Sequence, residues 1–139
     1  MTSLSSKATA RSGCKTKRME RVKDETIERC IKFRDDRDWK QFHNPKDLAL
    51  SISLEANELL ELYQWKNGED IMKVDRKRVA EELADVILYC ISFADRMDFD
   101  LDEILNMKMD MNAAKYPVEL AMGSAEKYDE LKRRAENKA

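Results

Sequence analysis

Apolar positions along this chain return at helical spacing in four successive stretches. From Met19 onward, Met19, Val22, Ile27, Cys30, Ile31 and Phe33 recur every three or four residues, which predicts a first helix. A second is marked by its ends: Asn44 suits the N-cap, Pro45 the first helical position and Asp47 the first turn, while "KNGED" supplies a glycine for the stop. It is predicted from about Pro45 to near Trp65. A third, about Asp75 to Met97, carries the longest apolar run, Val86 to Ala94. A fourth begins at Asp100, with Glu103 completing a box-like start, and stops before Pro117. "DWKQFHNPKDLAL" lies between the first two as a short aromatic loop. The segment from Val118 balances acids against bases and predicts a frayed arm or a short docking helix.

Composition agrees with this pattern. With 3 Gly and 2 Pro in 139 residues, long amphipathic helices are favoured over turn-rich β architecture, and the length suits one domain. The expected fold class is all-α. The expected division is a disordered basic tail over 1–18, a domain over 19–120 and a C-terminal arm over 121–139.

Charge narrows the partners. Residues 1–23 hold seven Lys or Arg against one acid, and the formal net charge of −2 therefore leaves an acidic body. A negative helical body lacks the contiguous basic face that phosphate backbones require, so no nucleic-acid partner is expected. The apolar run is far shorter than the ~20 residues of a membrane span, and no membrane partner is expected either. Cys14, Cys30 and Cys90 form no CxxC pair, which suggests neither a disulfide framework nor a zinc site and fits a reducing cytoplasm.

The chemistry lies in "SLEANELLELYQW". On a wheel at ~100° per residue, Leu48, Ala49, Ile52, Ala56, Leu59, Leu60 and Tyr63 form an ordinary core stripe. Glu55 and Glu58 fall beside it, flanked by Leu48, Leu54, Leu62 and Trp65, whereas Glu61 joins the polar side. On the third helix Glu82, Asp85 and Tyr89 share a stripe bordered by Val86 and Phe93, and Glu81 faces away. Any single acid among 28 Asp and Glu is by default a solvated helix acid. Two i, i+3 pairs set into apolar surface are different, because clustered carboxylates repel one another and burial opposes their charge. A cation resolves both problems. Oxygen-only donors favour Mg²⁺, with Mn²⁺ as substitute, and Mg²⁺ retains water positions that substrate phosphates can fill. A di-iron bundle would need ExxH motifs, and the single histidine, His43, lies in the loop.

On the fourth helix Lys108, Asn112 and Lys115 share the face of Leu101, Ile104 and Leu105. Inward lysines beside carboxylates call for an anion, and phosphate is the natural one; snorkelling stems are the competing reading. Trp39, Phe42, His43, Trp65 and Tyr89 supply aromatic surface for a nucleobase, with core packing as the alternative for each tryptophan.

"SLEANELLELYQW" followed by "EELADVILYC" resembles the ExxE…ExxD pattern of the all-α nucleoside triphosphate pyrophosphohydrolases, and within them the MazG-like dCTP pyrophosphatases. The likeness extends through "RDWKQFHNP" and "KMDMNAAKYP", over about residues 24–120. It implies a four-helix MazG-like bundle completed by oligomerisation to a homodimer or homotetramer, in keeping with a third helix too apolar to face water in a monomer. It also implies Mg²⁺-dependent hydrolysis of a nucleoside triphosphate, dCTP or 5-modified dCTP, to monophosphate and pyrophosphate. Glu55, Glu58, Glu82 and Asp85 would be metal ligands, with Glu55 or Glu58 as proton acceptor. Trp39, Phe42, His43, Trp65 and Tyr89 would meet the nucleoside; Lys108, Asn112 and Lys115 would meet phosphates. One departure affects base preference: where animal dCTP pyrophosphatases carry a base-contacting histidine on the first helix, this chain has Cys30. The alternatives are a non-enzymatic helical oligomeric interaction module and a hydrolase of another nucleotide or diphosphate metabolite.

Overall fold

A computed structural model describes residues 22–137; the expected basic tail over 1–18, and Met19, lie outside the described residues. Those residues form α1 (Asp24–Asp35), α2 (Pro45–Glu61), α3 (Arg76–Arg96), α4 (Leu101–Lys115), α5 (Val118–Ala121) and α6 (Tyr128–Glu136), with short 3₁₀ turns at Trp39–Phe42 and Gly68–Lys73. No strand occurs among them, in line with the all-α expectation. No described helix is long and apolar enough to cross a membrane.

Short polar side chains set the helix starts. Asn44 Oδ1 accepts from the Asp47 backbone N–H at 2.9 Å, Asp75 Oδ1 from Lys77 N–H at 2.9 Å and Asp100 Oδ1 from Glu103 N–H at 2.9 Å, each satisfying an otherwise orphaned donor. The end of α2 departs from expectation. The helix stops at Glu61, because the backbone tightens into i→i−3 bonds, Tyr63 to Leu60 and Gln64 to Glu61. Trp65 then takes a left-handed φ of 63°, a conformation that a bulky side chain rarely adopts. The reversal therefore precedes Gly68, which opens the following 3₁₀ turn with φ of 56°.

The closest packing is α2 on α3, with α1 laid against α3. Leu62, just past the end of α2, shares a cavity wall with Asp75 and Arg78 at the start of α3, while Glu55 lies by Asp85. Numbers that fall along one helix rise along the other, so the two run antiparallel. Leu48, Ile91, Ala94 and Leu131 are the buried apolar side chains among the described residues. On α1 the inward stripe Ile27, Cys30, Ile31 ends at Arg34, which is 2% exposed, whereas Phe33, expected in that stripe, is exposed and stacks with Arg37 and Trp39. Arg34 crosses to α3, donating from Nη1 to Asp95, and donates from Nε to Asp35 at 2.7 Å.

The C-terminal arm resolves into a docked helix. Leu131 is buried, Tyr128 packs edge-on against Tyr116, and Arg134 donates to the Leu120 carbonyl and pairs with Glu126. By contrast α4 packs loosely; Leu105, Met107, Met109 and Met111 stay exposed. Because Leu48 is the most deeply buried large side chain, Leu48→Ala should cost about 2–5 kcal/mol of stability, read from urea unfolding at constant m. A change under about 1 kcal/mol would show that the α2–α3 contact can collapse around the deletion.

Candidate active site and metal centre

Antiparallel packing of α2 on α3 is what makes a site of separate acid pairs. A carboxylate oxygen from each of Glu55, Glu82 and Asp85 can lie within 4.8 Å of the other two. Glu55 and Glu82 are half-buried and Asp85 is exposed. Burial raises the Glu55 carboxyl above its usual range, and the charges of Glu58, Asp85 and Glu82 push it further the same way. Glu58, expected as a fourth ligand, stands outside this trio. A three-residue step turns it by roughly 60° around α2 and one turn along it, so it is exposed and lines a cavity on the other side with Glu82.

The donor set is all oxygen, converging and like-charged, which is the chemistry that suits a hard divalent cation. The trio fits such an ion both by proximity and by the electrostatic strain that it would relieve.

On one side the acids border a cavity of about 530 Å³, lined by Glu55, Asp85, Trp39, His43, Tyr89 and Cys30 among others. Four elements meet there: α1, the 3₁₀ turn with its following residue, α2 through Glu55, and α3. The His43 and Tyr89 rings lie 6.5 Å apart, tilted by 48°, and Trp39 stacks edge-on with Phe33 at 5.8 Å. Burial, with the Arg34 cation second, holds His43 below its usual range, so its ring is neutral near pH 7; Nδ1 is buried without a hydrogen-bond partner. Cys30 lies at the same wall, its Sγ donating to the Leu88 carbonyl at 3.9 Å, and burial raises its thiol, which stays protonated.

The remaining expected residues are not gathered here. Trp65 is 89% exposed beyond the end of α2, and Phe42 is 63% exposed and is not among the residues lining this cavity. Lys108, Asn112 and Lys115 are exposed on α4 and line neither cavity, because within one chain α4 does not pack over the acids. Lys115 instead sits 5.2 Å from the Tyr128 ring and 5.7 Å from that of Tyr116. Among the cavity residues that escaped sequence reasoning are Arg34 and Ser92. The signal for Arg34 was its position three residues after Ile31 and four after Cys30, on the inward stripe; Ser92 stood as the one polar interruption of the apolar run.

A model of the MazG-like family matches residues 50–131. The chain is 42% identical over 106 residues to dCTP pyrophosphatase 1 of Rattus norvegicus, an alignment covering 73% of this chain and 62% of that protein. It is 42% identical over 104 residues to dCTP pyrophosphatase 1 of Homo sapiens, covering 71% and 61%. The chain thus spans about three fifths of the length of these relatives. A crystal structure of a pyrophosphatase from Archaeoglobus fulgidus is similar with a TM-score of 0.63 and 38% identity, over 67% of this chain and 90% of that one.

The raised Glu55 carboxyl has a consequence for stability. Above the ordinary carboxylate value of about 4.3, and up to the raised value, the folded chain keeps a proton that the unfolded chain has released. Stability therefore falls as pH rises through that window. In chelator-treated protein Glu55→Gln should flatten this fall, measured by denaturant unfolding across the window. An equally steep fall in the variant would locate the strain elsewhere.

Proposed function

This chain belongs to the MazG-like family, and from that premise and the facing acids we propose that it is a Mg²⁺-dependent nucleoside triphosphate pyrophosphohydrolase. Its proposed substrates are dCTP and 5-modified dCTP, cleaved with water to the monophosphate and pyrophosphate in cleansing of the nucleotide pool. The observation that carries the reading is the convergence of Glu55, Glu82 and Asp85 beside a cavity walled by Trp39, His43 and Tyr89. The resemblance to animal dCTP pyrophosphatases supports the choice of base.

In this reading Glu55, Glu82 and Asp85 hold the divalent ion, and Glu58 joins from the open side. When bound, that ion supplies positive charge opposite the negative charge that develops on the pyrophosphate leaving group. The aromatic walls orient the nucleoside by stacking, worth about 1–3 kcal/mol per base. Neutral His43 offers a ring nitrogen without cationic competition for the ion. In this reading Glu55 or Glu58 would accept the proton of the attacking water.

The exposed Leu83 and Ile87 of α3 and Met107 and Met111 of α4 support assembly as a homodimer or homotetramer, since such surface is costly in water. In that assembly α4 of one copy can bring Lys108, Asn112 and Lys115 toward the acids of another. Free Cys30 and Cys90 suit a reducing cytoplasm.

The test is product analysis over canonical and 5-substituted nucleotides with and without divalent ion. Pyrophosphate release from dCTP should require Mg²⁺ or Mn²⁺, and Glu82→Gln or Asp85→Asn should reduce it by about 10²-fold or more. Full ion-dependent activity in folded variants would overturn the metal assignment, and indifference to chelator with no turnover would favour an interaction module. Mn²⁺ at a hundredfold excess over its dissociation constant should also raise unfolding free energy by about 2.7 kcal/mol, an increment that Glu55→Gln should lose.

A further inference from the structure

The acids have two sides, and only one is aromatic. Glu58 and Glu82 form part of the wall of a second cavity, of about 590 Å³, which opens between the end of α2, the Gly68–Lys73 turn and the start of α3. No aromatic side chain lines it. Its cations are Lys66, Lys73 and Arg78. Lys73 is committed to Asp70 at 3.0 Å, whereas Lys66 and Arg78 make no ion pair or hydrogen bond through their side chains among the described residues. Two uncommitted cations beside clustered carboxylates, on the wall of one cavity, form a seat for an anion.

We propose that this cavity holds the diphosphate end of the substrate and the departing pyrophosphate, with Lys66 and Arg78 as its cationic contacts. The inference rests on the hydrolase reading above and extends it to residues on the far side of the acids. Glu82 belongs both to the trio with Glu55 and Asp85 and to this wall, so the ion-binding acids stand between the two cavities. An elongated ligand with an aromatic ring at one end and a polyanion at the other matches that order of surfaces. The charge balance adds a condition. Five carboxylates face three cations in this cavity, so without a divalent ion the site repels pyrophosphate and with one it attracts it.

The probe is inorganic pyrophosphate, titrated calorimetrically into the protein with and without Mg²⁺, alongside a titration of Mg²⁺ alone. Wild type should bind pyrophosphate with Mg²⁺ at least about tenfold more tightly than without it. Lys66→Ala and Arg78→Ala should each weaken pyrophosphate binding about tenfold, with Mg²⁺ affinity unchanged and helical circular dichroism intact. Arg78→Lys should recover part of the loss. Wild-type affinity for pyrophosphate in the Lys66→Ala/Arg78→Ala double variant would overturn the assignment, as would a loss seen equally for Mg²⁺ alone. Failure of the hydrolase reading looks different: wild type would then neither cleave dCTP nor bind pyrophosphate with Mg²⁺, whereas failure of this inference leaves both intact and insensitive to the two substitutions.

Discussion

Like charge held close by apolar packing is the constraint around which this structure is arranged. Two unit charges ~4 Å apart interact by about 1 kcal/mol in bulk water and about 4 kcal/mol at the effective dielectric near a protein surface, more than a typical hydrogen bond contributes. Glu55, Glu82 and Asp85 stand in that regime, and burial together with the neighbouring charges makes Glu55 keep its proton to higher pH. The fold tolerates this because the same α2–α3 contact buries Leu48 and Ile91. Packing fixes where the acids go, and the acids then make the contact receptive to a cation.

The surroundings are asymmetric in a way that follows from this contact. Toward α1 the surface is aromatic, and the buried Arg34, tied to Asp95 and Asp35, anchors α1 to α3 and adds its charge to the burial that holds His43 neutral. Toward the end of α2 the surface is charged and open. A substrate with a base and a polyphosphate has these same two ends, which is why the proposed chemistry and the proposed pyrophosphate seat both take the acids as their dividing line. Cys30 and Ser92 make the deep wall of the aromatic cavity small and weakly polar, a setting in which base selectivity comes from edge hydrogen bonds more than from stacking.

A single chain leaves much of its apolar surface in water. The exposed methionines of α4 and Leu83 and Ile87 of α3 stand on helix surface that the described residues leave uncovered. With α4 loosely seated and its lysines lining neither cavity, this surface underlies the proposed oligomer.

Local chemistry was legible in the sequence because it depends on neighbours along the chain. The helix starts at Asn44 and Asp100, the extent of α3 and α4, and the apolar-flanked settings of Glu55, Glu82 and Asp85 all follow from spacing and side-chain type. What the sequence could not carry was anything set by the angle and depth at which helices meet. The exclusion of Glu58 from the trio, the burial of Arg34 in a stripe that reads as apolar, the early turn that leaves Trp65 exposed, and the gathering of Lys66 and Arg78 beside Glu82 are of this kind. Periodicity fixes which residues share a face of one helix. Which faces confront each other, and how deeply, is decided by packing between elements that lie far apart in the chain.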